Sequence, residues 1–148
     1  MVARNASGGD ERWRMPPEMR VALRRRALVK REWAEQMAVL RLAGLGTEDI
    51  RLRLHLTVEQ NRRARRLLRA AVSMSVASPL PLSITEALQE SADLMVARAI
   101  RLGELRHSGF GRRESQERLD CTDEEWDAAE EWFRDAEAEL PQDQDEAA

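Results

Sequence analysis

The segment Gly44-Leu-Gly-Thr-Glu-Asp-Ile-Arg-Leu-Arg-Leu-His-Leu-Thr57 decides the fold of this chain. Gly44 favours the left-handed conformation in which many helices end, and Thr47 opens a short helix over Glu48 to Leu54. Ile50 and Leu54 are four residues apart, so they share one face of that helix. The segment therefore predicts a helix end, a break, and a short helix with one buried side.

A tight turn at His55 and Leu56 leads into a third helix. Thr57 and Gln60 have the spacing of a capping box, in which each side chain satisfies a main-chain N–H of the other residue. An apolar stripe continues the third helix to about residue 72. Upstream, apolar residues at helical spacing predict a long first helix over roughly 17–43.

The same pattern occurs again 65 residues further along the chain. Gly44 and Thr57 recur as Gly109 and Thr122, and 16 of 58 aligned positions are identical without a gap. This composition gives roughly five identities by chance. The second copy predicts capping boxes at Ser83 and Thr122 and helices over roughly 84–107, 112–119 and 123–139.

No alternating strand pattern is present, so the sequence predicts an all-α fold made of two tandem three-helix units related by duplication. The predicted organisation is a flexible arm (1–13), a first repeat (14–72), a linker (73–78), a second repeat (79–140) and an acidic tail (141–148).

The charge is divided unequally along the chain. Residues 1–78 carry 17 of the 24 Lys and Arg and 8 of the 27 Asp and Glu, a net charge of +9, whereas residues 79–148 carry −12. A basic half beside an acidic half favours a polyanionic partner for the first half and a different role for the second.

Several classes of function find no support. No apolar run approaches the ~18 residues of a membrane span, and no secretory signal opens the chain, so we expect a cytoplasmic protein. Cys121 is the one cysteine and only His55 and His107 accompany it, which excludes an internal disulfide and a conventional zinc site. Without a phosphate loop or a nucleophile motif, we expect neither an enzyme nor a cofactor or small-molecule ligand.

The segment 44–57 resembles the helix-turn-helix of bacterial DNA-binding proteins. It is similar to the promoter-binding region of sigma factors, to response-regulator output domains and to the N-terminal domain of phage small terminases. Asp49-Ile50, Leu54, Leu56 and Thr57 carry the resemblance. One position departs from it, because the inward residue of the third helix, commonly Val or Ile, is Asn61 here.

The resemblance implies that the third helix of the first repeat reads duplex DNA in the major groove. Thr47 and Thr57 would bind phosphates, and Arg51 would add a backbone contact. Arginines and polar side chains on the outward face would reach the bases. The expected DNA-binding residues are Thr47, Arg51, Thr57, Glu59, Gln60, Arg62, Arg63 and Arg66. Basic residues of the first helix would extend the footprint, among them Arg20, Lys30 and Arg31.

The third helix of the second repeat is acidic, so phosphate would repel it, and we expect this repeat to have lost the DNA role. Its aromatic residues Trp126, Trp132 and Phe133 leave two interpretations open. They form a core with Ala129, or, together with Glu130, they form a protein-docking or self-association surface.

The sequence therefore favours a small bacterial or phage transcription regulator that binds duplex DNA through repeat 1 and uses repeat 2 for protein contact or autoregulation. Two alternatives stay open. One is a phage small terminase subunit, which would form a ring. The other is a helical protein-interaction module that does not bind DNA.

Overall fold

The computed structural model describes residues 13–80 and 82–141, and over these it has six helices and no strand. The predicted all-α class is confirmed. The predicted helix limits agree with those of the structure to within about two residues, the usual uncertainty of a helix end, except at the end of the third helix. The helices, in chain order, are α1 (Pro17–Leu42), α2 (Thr47–Arg53), α3 (Val58–Ala77), α4 (Ile84–His107), α5 (Arg112–Leu119) and α6 (Asp123–Glu137).

Main-chain conformations recur at the 65-residue offset. Gly44 and Gly109 follow the long helices with φ angles of 95° and 98°, in the left-handed region that favours glycine. His55 and Asp120 follow α2 and α5 with φ angles of 58° and 52°. Both connections in each repeat therefore have similar backbone conformations, although His55 of the first copy is replaced by Asp120 in the second.

Capping boxes fix the start of each third helix. At α3, the Thr57 hydroxyl accepts the Gln60 N–H at 3.0 Å, and the Gln60 side chain accepts the Thr57 N–H at 2.9 Å. At α6, Thr122 and Glu125 make the same two bonds at 3.1 and 2.9 Å. The predicted box at the start of α4 is also present. These bonds satisfy main-chain donors that a helix start would otherwise leave unpaired.

The chain folds into two compact units, and both long helices contribute to each of them. Arg25–Leu94 form the basic unit, with a net charge of +4. Met1–Arg24 together with Met95–Ala148 form the acidic unit, with a net charge of −7. The unit boundaries thus fall inside α1 and α4 rather than between the predicted repeats 14–72 and 79–140. A repeat of about 60 residues buries little apolar surface alone. Because α1 and α4 are each divided between the two units, each unit contains a fourth helical segment.

The predicted linker at 73–78 is wrong for most of its length, because α3 continues to Ala77. Ser73 to Val76 contain no residue that ends a helix. Pro79 is the first residue that cannot continue one, and it restricts Ser78 before it to an extended backbone.

The core of the basic unit lies between α3, α2 and the parts of α1 and α4 that belong to this unit. Of the predicted inward pair in α2, Ile50 is 1% exposed, whereas Leu54 is only half-buried. Leu56 in the turn after α2 is 5% exposed and takes part in the core. Lys30 is fully buried as well, which corrects its expected place in a basic footprint. Other buried side chains are Ala34, Met37, Ala64, Leu67, Leu68, Ala71 and Leu88.

In the acidic unit, α4 and α6 pack closely at Gly103. A Cβ atom at this position would lie 2.4 Å from Cε2 of Phe133. One residue further along α4, the buried carboxylate of Glu104 accepts the Met15 N–H at 3.4 Å and pairs with Arg20 at 3.4 Å. Arg20, expected in the basic footprint, thus belongs to the acidic unit and pairs there with Glu104.

The residues just before α1 pack against α4. The sequence pattern places Trp13 in the flexible arm, but its ring stacks on His107 with centroids 3.9 Å apart and an angle of 18° between the planes. The rest of the predicted arm, residues 1–12, and the tail after Pro141 lie outside the described residues. Among the described residues, no helix has both the length and the apolarity to cross a bilayer.

Candidate nucleic-acid interface

Arg51 holds α2 to the turn that follows it. Its Nη1 donates to the main-chain oxygen of Leu56 at 3.1 Å, and its guanidinium forms an ion pair with Glu48. The hydrogen bond between the two side chains lowers the pKa of the Glu48 carboxyl and raises the pKa of the Arg51 guanidinium. Arg51 is thus engaged in fixing the turn, whereas the sequence predicted a contact to the DNA backbone.

The two threonines expected to bind phosphate are exposed at helix starts. Thr47 is the first residue of α2, whose N-cap, Gly46, makes no side-chain cap. Thr57 caps α3 and accepts one bond from Gln60, which leaves its own O–H free to rotate towards an external acceptor. The oxygen of the Gln60 side chain is occupied by the cap, but its NH₂ group keeps donor capacity.

The two faces of α3 differ in chemistry. The buried face consists of Asn61, Ala64, Leu67, Leu68 and Ala71. Around the opposite face, the side chain of Arg62 is 39% exposed and that of Arg63 is 19% exposed. Arg66 is half-buried, and Arg69 is exposed one turn further on. The structure thus gives α3 a basic side of four arginines.

Glu59 lies within this basic side. Its Oε1 accepts from Arg62 Nη2 at 2.7 Å and from Arg63 Nη1 at 3.2 Å. The bond to Arg62, followed by the charge of that residue, holds the pKa of Glu59 below its ordinary value. The carboxylate is therefore ionised at neutral pH and offsets part of the positive charge.

All eight predicted DNA-binding residues fall on one continuous segment of the basic unit, from the start of α2 to the middle of α3. The sequence missed two exposed apolar residues on that segment. Leu52 in α2 is 57% exposed, and Val58, the first residue of α3, is 67% exposed. Comparison with the second repeat could have identified both residues as exposed, because the equivalent positions there are the acids Glu117 and Asp123, which favour solvent.

The acidic unit repeats the backbone of this segment with a different surface. At the positions of Arg62 and Arg66, α6 carries Asp127 and Glu131. The N-terminal turn of α6 contains Asp123, Glu124 and Glu125. Such a surface repels a phosphate backbone.

The predicted protein-contact residues of α6 divide into core and surface. Trp126, Trp132 and Phe133 are 3%, 3% and 5% exposed, so they form the core and are not available to a docking partner. The side chain of Glu130 is partly exposed and pairs with Arg106 at 2.8 Å and with Arg134 at 3.5 Å. Of the two interpretations left open for the aromatic residues, internal packing is correct.

A shallow surface cavity of about 600 Å³ lies along α5 and the turn before α6. Arg112 lines it and forms ion pairs with Asp123, another lining residue, at 3.7 Å and with Asp127 at 3.2 Å. Cys121 also lines it, and burial raises the pKa of its thiol, so the thiol is protonated at neutral pH and a poor nucleophile. The cavity thus offers paired surface charges.

No protein-family model, curated protein or solved structure is similar enough to this chain to count as a match.

Proposed function

We propose that this protein binds duplex DNA through α2 and α3 of the basic unit and acts as a small transcription regulator. One observation carries the proposal. Two helix-turn-helix segments have the same backbone conformations and caps, yet α3 has arginine where α6 has acid, at Arg62 and Arg66 against Asp127 and Glu131. Selection for packing alone gives no reason for opposite charges on equivalent outward positions.

The start of α3 is the part that would enter the major groove, because a recognition helix contacts base edges with its N-terminal residues. Three of the first five residues of α3 are at least 39% exposed, namely Val58, Glu59 and Arg62. An apolar side chain suits the methyl group of thymine, a carboxylate accepts from the amino group of cytosine, and arginine donates to guanine.

Phosphate contacts would come from groups on either side of this reading end. The hydroxyls of Thr47 and Thr57 lie at helix starts, where main-chain N–H groups and the helix dipole favour anions. Arg63, Arg66 and Arg69 continue the positive charge along α3. Arg51 serves instead to fix the turn from which α3 projects.

A second candidate function is a protein-interaction module, with or without DNA. Exposed apolar side chains favour this function. Over the described residues, ten of the eleven large apolar side chains that are exposed belong to the basic unit, where a protein partner could cover them. A small terminase would add a ring-shaped assembly. Measurement of mass in solution separates a ring from a smaller species.

The repeat supplies a matched pair of variants to test DNA binding. Arg69 and Arg134 occupy equivalent exposed positions in α3 and α6. We expect Arg69→Ala to weaken binding of the full chain to duplex DNA and to reduce the magnitude of the salt slope by about one. Arg134→Ala should leave both unchanged. Equal effects of the two variants would contradict the assignment to the basic unit.

A further inference from the structure

The connection between α3 and α4 carries no charge. From Ala70 to Thr85 there are sixteen consecutive uncharged residues, in a chain of which 34% of residues are charged. The stretch covers the last two turns of α3, the connection itself and the start of α4.

Large apolar side chains on this stretch face solvent. Val76 is 80% exposed, Leu80 is 73%, Val72 is 47% and Ile84 is 37%. Their summed exposed surface is on the order of 400 Å², within the range of the largest apolar patch on a typical monomer, which is often functional. We call these four residues the corner patch.

The backbone under the corner patch is held by its own hydrogen bonds. The Ser75 hydroxyl donates to the main-chain oxygen of Leu82 at 3.1 Å, and the Ser78 hydroxyl bonds to both main-chain groups of Leu80. Ser91 of α4 lies 3.7 Å from the sulfur of Met74. These bonds reduce the conformational entropy that the backbone around Ser75 and Ser78 loses on docking.

We propose that the corner patch is the interface of a two-fold dimer, with a second copy of this chain as its partner. An uncharged apolar patch requires an uncharged apolar partner surface. Ten of the eleven large exposed apolar side chains over the described residues belong to the basic unit, so a second copy of this chain offers an apolar partner surface. The charges beside the patch then select the arrangement of the two copies.

The charges on either side of the patch favour a two-fold pairing. Before it, α3 is basic up to Arg69, and after it, α4 begins with the acids Glu86, Glu90 and Asp93. In a two-fold interface each contact occurs twice with the roles exchanged. Two opposite-charge contacts between α3 of one copy and α4 of the other can therefore form together, whereas a partner of a single sign would be repelled at one side.

The test is the mass of the full chain in solution, measured by sedimentation velocity from about 5 to 200 μM, a range that covers a micromolar dissociation constant. We expect a dimer of two 16.9 kDa chains that persists at high salt, because apolar burial is not screened. Val76→Glu and Leu80→Glu should give monomers with unchanged helical circular dichroism.

The matched control is Val39→Glu, a valine of the basic unit that is 64% exposed on α1. It should remain dimeric. A monomeric wild type at the highest concentration, a larger ring, or equal dissociation of Val39→Glu and Val76→Glu would each overturn the proposal. Binding of Val76→Glu to duplex DNA is measured in a separate titration. The mass in solution tests the dimer and the titration tests DNA binding, so either proposal can fail without the other.

Discussion

Glu59 and Arg62 form an ion pair of 2.7 Å on the outward side of α3, with 63% and 39% of their side chains exposed. The basic surface proposed to meet DNA therefore contains a carboxylate that already binds two of its arginines. A phosphate that approaches Arg62 or Arg63 competes with Glu59 and is also repelled by it. The carboxylate should restrain non-specific affinity.

We expect Glu59→Gln to raise the affinity for duplex DNA of random sequence by about three- to tenfold at low salt, with a smaller gain at high salt. Fluorescence anisotropy titration measures this directly. The control is Glu124→Gln, the equivalent glutamate of α6, which should change nothing. A loss of affinity for random-sequence DNA in Glu59→Gln would contradict this restraint by the carboxylate.

Val58 should recognise a thymine methyl group. Once a bound sequence has been selected, replacing the contacted thymine by uracil removes one methyl group, which corresponds to a loss of about three- to fivefold in affinity. In Val58→Ala the thymine and uracil duplexes should bind equally. If uracil has no effect at any position of the site, Val58 does not read a base.

Local features of this fold were predictable because they depend on neighbours in the sequence. Gly44 and Gly109 mark the helix ends, and Thr57 and Thr122 mark the starts of the third helices, where each satisfies main-chain donors three residues away. Long-range features were not predictable. Nothing in the pattern of α1 shows that Lys30 points inward or that the helix divides between two units after Arg24.

The aromatic residues of α6 show the same limit for the candidate site. Their spacing fitted both a core and a docking surface, and only the packing of α4 against Phe133 decides between the two. Conversely, the role of Arg51 in the turn depends on a main-chain oxygen five residues away, which charge alone did not reveal.

Gly103→Ala should destabilise the acidic unit. In an open helix position the change would stabilise by up to about 1 kcal/mol, but here the added methyl meets the Phe133 ring at 2.4 Å. We expect a net loss of about 1–3 kcal/mol from overpacking. Urea unfolding followed by circular dichroism measures it, and an unchanged or raised stability would refute the close packing of α4 on α6.

Asn61→Leu should stabilise the basic unit. Asn61 is 5% exposed, and its side-chain oxygen is buried without a hydrogen-bond partner. An apolar side chain of similar shape removes that desolvation cost, so we expect a gain of about 1 kcal/mol and a rise in Tm of about 2–4 °C. Calorimetry provides the measurement. A lower Tm would indicate that the amide makes a stabilising contact through its nitrogen.

The central claim is that the arginine side of α3 binds the phosphate backbone of duplex DNA, and the salt dependence of binding tests it most directly. The full chain is titrated by fluorescence anisotropy into labelled random-sequence duplex DNA at several salt concentrations. Arg63, Arg66 and Arg69 at phosphates give a plot of log K against log salt with a slope of about −3. No binding at about 50 mM salt, or a slope near zero, would contradict the account.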